Sequence, residues 1–207
     1  MNPNKKPGSY ESALSKAWDD LAVLDPLKVE RRSGASYDSG RKEFTLTFLR
    51  EEYRIQPSKR TVISPEGQNV RPFIWVLLLH YLVYAKEIGL EGNLISFREL
   101  SGGEVYYNAF SERAIIPITN AFGSNVEALR DAGGRIRATK SGYGDISIKI
   151  EVFPKIPVTV ILWEGDEEIP PSSNMLFDAS IKELLPTEDV AVLGGFVAST
   201  LIKNMKN

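Results

Sequence analysis

The chain has 207 residues, with 25 lysines and arginines against 27 aspartates and glutamates, one histidine and no cysteine. A 43 % hydrophobic fraction with 10 % aromatics excludes an intrinsically disordered class, and a formal net charge of −2 removes the electrostatic footprint of nucleic-acid binding. The missing cysteines exclude disulfides, thiolate zinc sites, iron–sulfur clusters and a cysteine nucleophile, and the lone His80 excludes a multi-histidine metal centre within one chain.

In chain order, the polar stretch Met1–Ser12 predicts no signal peptide. A helix is expected from Tyr10 to Leu24, because Leu14, Ala17, Trp18, Leu21 and Leu24 recur at helical spacing, with Ser9 as cap and Pro26 as stop. From Lys28 to Ile63 the period becomes two. Phe44, Leu46 and Phe48 alternate with Thr45 and Thr47, Leu49 breaks the pattern, and strands follow at Tyr53–Ile55 and Thr61–Ile63. Turn residues between them predict an antiparallel meander. This is also the basic part of the chain, with 13 basic and 10 acidic residues in 1–72.

A helix is expected from Arg71 to Glu87, apolar on nearly every face between Ile74 and Leu82 and therefore buried. Its apolar run is far short of the ~20 residues that cross a bilayer, so a soluble, cytoplasmic protein without a membrane partner is expected. An extended segment follows at Ile95–Leu100, then helices at Glu104–Glu112 and Pro117–Arg130, the second weakened by Gly123. Beyond Ala132-Gly133-Gly134 come a loop and strands at Ile146–Phe153 and Val158–Trp163. A proline-rich loop is expected over Glu164–Asn174, and a last helix over Thr187–Asn204 with Thr187 as cap. Strands and helices do not alternate throughout, which selects α+β over a doubly wound sheet. The expected architecture is one domain over 1–207 with a flexible tail at 1–9. In it an antiparallel sheet, built from the meander plus the later hairpin, packs on the buried central helix and the C-terminal helix.

Motifs with a known mechanism are mostly absent: there is no phosphate-binding Walker loop, no H-E-x-x-H and no G-x-S-x-G. Gly142-Tyr143-Gly144 opens like a dinucleotide fingerprint but lacks the later glycine and the following helix. Asp166 cannot start a calcium loop, since prolines fill its fifth and sixth positions and Phe177 its twelfth. His80 lies within the apolar helix with no acid nearby in sequence, and is read as a neutral core histidine.

Two segments carry unusual chemistry. Between Glu164 and Asp189 stand eight acids (Glu164, Asp166, Glu167, Glu168, Asp178, Glu183, Glu188, Asp189) against Lys182 alone. Four of them follow Trp163 directly. Such a run is a solvated turn, a hard-cation or cationic-group site, or a partner for internal arginines. The second segment holds Arg98, Glu99, the Gly102-Gly103 pair, Tyr106, Tyr107 and Arg113, a composition suited to an anion beside an apolar ring, or to pairing with the acidic loop. Either way the two segments are expected to meet. The function expected is a binding module for a small anionic or cofactor-like ligand, or a protein partner. Its expected site is Arg98, Glu99, Tyr106, Tyr107, Arg113, Trp163, Glu164, Asp166, Glu167, Glu168 and Asp178. The alternative is an enzyme using Asp166, Glu167 or Glu168 as general base or Mg/Ca ligands, without a covalent nucleophile. A third possibility is an accessory subunit presenting Trp163 and Tyr106 to a partner. No cofactor is named by the residues.

The strings Leu77–Leu82, Ile95–Gly103, Phe122-Gly123, Leu162–Glu168, Leu176-Phe177-Asp178 and Leu185–Asp189, in this order, resemble an uncharacterised prokaryotic domain-of-unknown-function family, numbered three-seven-eight-six and common in anaerobes. The resemblance is strong over about 70–195 and implies no assigned activity. Some relatives carry an added iron–sulfur segment, which implies a role near redox or one-carbon chemistry; this chain, lacking cysteine, cannot hold such a cluster.

Overall fold

A computed structural model describes residues 8–67, 70 and 72–205. The chain forms two compact units, one from Met1–Gly89 with Phe153–Lys155 and Glu183–Leu185, the other from the remaining residues. The expected tail at 1–9 lies outside the described residues up to residue 7, and Gly8 and Ser9 belong to the first helix.

In the first unit, α1 (Gly8–Ala22) buries Ala17, Trp18 and Leu21, and Trp18 meets Trp75 edge to face at 6.1 Å. Pro26 does more than stop this helix. It opens α2 (Pro26–Ser33), where a meander had been expected from Lys28. The cause is local. The Asp25 carboxylate accepts the Leu27 N–H at 3.0 Å, Pro26 occupies the first turn, and Gly34 closes the helix at φ +73°.

The meander itself is present. Strands β1 (Ser36–Asp38), β2 (Glu43–Phe48), β3 (Glu51–Gln56) and β4 (Thr61–Ile63) form an antiparallel sheet in sequence order. Phe44, Leu46 and Phe48 are buried while Thr47 is exposed, as the period of two requires. The break at Leu49 is a two-residue hairpin turn in which Leu49 and Arg50 both take left-handed backbone, the mirror-image turn that matches strand twist.

Helix α3 (Pro72–Tyr84) stops short of the expected Glu87, and its expected first residue, Arg71, lies outside the described residues. Leu77, Leu78, Leu79, Tyr81 and Leu82 are buried, each contributing on the order of 2 kcal/mol of apolar transfer as an upper bound. His80 is half-buried, its ring 5.3 Å from that of Tyr84. The Tyr81 hydroxyl donates to the Ser33 carbonyl at 2.8 Å and accepts the Lys155 N–H at 3.3 Å, while its ring stacks on Phe153 at 4.2 Å. Burial pushes this phenol well above its usual range, only partly offset by the Lys155 amide. Tyr81→Phe keeps the ring stack and leaves the buried Ser33 carbonyl and the part-buried Lys155 N–H without this partner. The expected loss is ~1–3 kcal/mol, a fall of roughly 2–12 °C in a thermal melt. An unchanged melting temperature would show that this hydroxyl holds nothing.

The second unit begins with β5 (Leu94–Ser96), so only the start of the expected extended segment is strand. Ser96 and Glu99 then form a capping box that bends Phe97–Glu99 into a 3-10 turn. Next, α4 (Gly103–Phe110) runs through a π-turn, Ser111–Ile115, into α5 (Ile116–Phe122). Separate helices had been expected here. Pro117 cannot donate a helical hydrogen bond, and the π-turn accommodates it. The Ile115 carbonyl is satisfied by the hydroxyls of Thr119 and Ser173, both at 3.1 Å. Gly123 ends α5, and Asn125 caps α6 (Val126–Arg135), which continues through Gly133 and Gly134, past the helix end expected at Arg130.

Strands β6 (Thr139–Lys140), β7 (Ile146–Phe153), β8 (Ile156–Trp163) and β9 (Ser172–Asp178) complete an antiparallel sheet of order β5-β9-β8-β7-β6. The β7–β8 hairpin was expected; β9 was not, because Ser172, Ser173 and Asn174 are poor strand formers behind two prolines. Pairing with β8 and β5 on either side imposes the strand. The last helix, α7 (Thr187–Lys203), is capped differently from expectation. Pro186 takes the cap position without a side-chain bond, and the Thr187 hydroxyl donates to the Ser101 carbonyl at 2.8 Å. Where α7 crosses the π-turn helix, a Cβ on Gly194 would lie 2.5 Å from Phe110. The fold is thus α+β with two antiparallel sheets.

Candidate functional site

The second unit holds every residue of the expected site; of the eight acids between Glu164 and Asp189, Glu183 belongs to the first unit. Arg98 forms an ion pair with Glu104 and lies 3.6 Å above the Tyr107 ring, so its charge is occupied within its own segment. Glu99 accepts the Ser96 N–H at 2.7 Å and the Ser96 hydroxyl at 2.8 Å, which hold its carboxyl below the usual range. The Tyr106 hydroxyl donates to Glu188 at 3.1 Å. Arg113 lies in the π-turn beside Gly195. Among the described residues no ion pair joins Arg98 or Arg113 to Glu164–Glu168; the pairing expected between the two segments is replaced by the local Arg98–Glu104 pair.

The acidic segment divides by role. The Asp166 carboxylate accepts the amides of Ile169 at 2.7 Å and Glu168 at 2.8 Å, and these two donors lower its pKa. It closes its own turn, while Glu167 and Glu168 are exposed. Asp178, 4 % exposed, accepts the amides of Glu91 (2.9 Å), Gly92 (2.8 Å) and Ser180 (3.0 Å). Burial pushes its carboxyl up, but the hydrogen bonds from Ser180 and from the Glu91 and Gly92 amides outweigh burial and leave it below the usual range. Asp178 is therefore a structural acceptor. Among the described residues no group of three or more His, Asp or Glu side chains is placed to hold a metal ion.

Trp163 and Glu164 point to a different place. The Glu164 N–H donates to Asp145 at 2.8 Å, and a Cβ on Gly144 would lie 3.3 Å from the Trp163 ring. Both belong beside the loop Ser141-Gly142-Tyr143-Gly144-Asp145, which joins β6 to β7. This loop and the C-terminal end of α6 line a cavity of about 420 Å³, within the range of small-molecule sites. Arg130 and Lys140 line it, with Gly134, Tyr143 and Asp145. Arg130 bonds Glu127 at 2.6 Å through one nitrogen, leaving its other donors available. Lys140 has no carboxylate within ion-pair distance among the described residues. Tyr143 is 48 % exposed and Trp163 39 %.

The site is held by close packing below it. A Cβ on Gly133 would lie 2.8 Å from Ile148 Cδ1, so the close approach of α6 to Ile148 of β7 calls for glycine there. On the loop, alternate amides are tied down: Ser141 N–H to the Ser147 carbonyl, Tyr143 N–H to the buried Ser147 hydroxyl, and Asp145 N–H to the Leu162 carbonyl. Arg130, Lys140 and this loop are not among the residues expected from sequence, since Gly142-Tyr143-Gly144 does not fit a strand–helix nucleotide motif. A glycine-rich connection between two strands, next to a lysine, was the available signal.

No helix among the described residues is long and apolar enough to cross a membrane. No curated protein and no solved structure matches the chain. Residues 25–200, which include α2, both sheets and every residue of the cleft, match the family described as Domain of unknown function (DUF3786), and the chain belongs to that family.

Proposed function

We propose that this chain is a binding module for a small anionic ligand, held in the cleft between the end of α6 and the β6–β7 loop. One observation carries the reading: Arg130 and Lys140 line the same cavity of ligand size as a glycine-rich loop, with Lys140 free of any internal ion pair among the described residues. The exposed Tyr143 adds an apolar face at the same place. A carboxylate enzyme draws less support, because the Asp166 carboxylate is committed to two backbone amides and is a weaker base for it.

The test is a thermal-shift titration with phosphate, citrate and acetate at constant ionic strength. A ligand at 100 times its Kd adds ~2.7 kcal/mol, which raises the melting temperature by roughly 5–11 °C in a chain of this size. Lys140→Glu is expected to abolish the shift. Asp145→Asn retains an acceptor for the Glu164 amide while removing the charge at the rim, and is expected to tighten binding about threefold. Equal shifts in the wild-type chain and Lys140→Glu for every anion would remove the reading.

A further inference from the structure

We infer that the group bound in this cleft is a phosphoryl oxyanion, held by the backbone amides of Gly142 and Gly144 together with Lys140. The inference rests on the anion-binding reading above and narrows its ligand class.

The argument starts from which glycines the fold needs. Gly144 has φ +57°, and a Cβ there would meet Ile161 at 2.7 Å and the Leu162 carbonyl at 2.9 Å. Gly133 is explained by its contact with Ile148. Gly142 and Gly134 are different. Neither has positive φ, and a Cβ on either would meet no atom within 4 Å, so neither packing nor backbone geometry calls for glycine. Gly134 even lies in the last turns of α6, where glycine costs ~1 kcal/mol against alanine. Both line the cavity. A bare backbone facing a cavity permits a ligand to approach closely.

The donors then select the ligand. Ser141, Tyr143 and Asp145 spend their amides within the fold, whereas those of Gly142 and Gly144 have no acceptor among the described residues. Two unspent amides in one five-residue loop, beside a lysine and the unpaired donors of Arg130, supply more than two donors to one anion. A carboxylate offers two oxygens in one plane; a terminal phosphoryl group offers three arranged around phosphorus, and backbone amides with a lysine point charge suit it. Among the described residues Asp145 is the one acid lining the cleft, and one of its oxygens is occupied by the Glu164 amide.

The experiment is an amide ¹H–¹⁵N titration of the full chain with inorganic phosphate, ionic strength held with chloride. The Gly142 and Gly144 amide protons are expected to move downfield and saturate, while acetate and citrate at the same concentrations leave them in place. Lys140→Gln is expected to weaken phosphate roughly tenfold. Gly142→Ala is expected to weaken phosphate while leaving the melting temperature within about 1 °C, since its methyl meets open space. If carboxylates move these two amides as strongly as phosphate does, the phosphoryl inference fails and the anion site stands. If no anion moves any resonance between Arg130 and Ser147, both fail.

Discussion

Asp178→Ala is expected to destabilise the second unit by about 3–5 kcal/mol, because three amides, that of Ser180 buried and those of Glu91 and Gly92 part-buried, lose a charged acceptor at once. At roughly 2–4 °C per kcal/mol, the melting temperature should fall by on the order of 10 °C. Asp178→Asn separates charge from shape. It keeps one acceptor oxygen and turns an amide donor toward groups that are themselves donors, so most of the loss should remain. The wild-type chain should also show the titration of this group. Its carboxyl is depressed in the fold, so its stabilisation is complete above the unfolded value near ~3.9 and is lost as pH falls through that value toward the lower folded one. Urea melts of the wild-type chain should therefore show stability falling below about pH 5, with a shallower fall in Asp178→Asn. Parallel pH profiles would show that another carboxylate sets the acid limit.

Gly103→Ala is expected to be the most damaging added methyl among the described glycines. Its Cβ would stand 2.1 Å from the Phe97 carbonyl oxygen and 3.1 Å from that of Arg98, and neither atom belongs to a side chain that could rotate away. To admit the methyl, the capping-box turn and the start of α4 must separate, which disturbs the Phe97–Phe110 stack at 4.2 Å. The expected cost is about 3 kcal/mol or more. Gly102→Ala is the natural comparison. There the penalty comes from φ +72° alone, with only the Tyr106 ring nearby at 3.8 Å, and ~1–2 kcal/mol is expected. Equal losses in the two variants would mean that the contact at Gly103 relaxes freely.

These two residues also show why the candidate site was only partly legible. Asp178 looked like one more acid in a run of acids. Its role is created by Glu91 and Gly92, which are 87 and 86 positions away, and no local pattern encodes that meeting. Arg98 lies near two tyrosines in sequence and stacks on the Tyr107 ring, but its carboxylate partner is the neighbouring Glu104. Trp163 and Glu164 were singled out for the acidity around them, and they turn out to border the loop of Gly142 and Gly144. Lys140 drew no notice because a lone lysine in a short strand is ordinary until its surroundings are known.

Sequence alone determined what nearest neighbours along the chain can decide. The period of two in β2 and β7 and the apolar run of α3 appear as read, since side-chain burial follows directly from strand and helix periods, while the break at Leu49 proves to be a hairpin turn. The Asp25-Pro26 start and Gly34 stop of α2 are equally local signals. Only the tertiary structure decided the rest: that Ser172–Asp178 is a strand between two others, that the Thr187 hydroxyl serves Ser101 instead of its own helix, and that Arg130, Lys140 and a glycine loop surround one cavity. The physical reason is the same in each case. Hydrogen-bond partners and cavities are set by groups brought together from distant parts of the chain, and their cost or benefit exists only once the fold has closed around them.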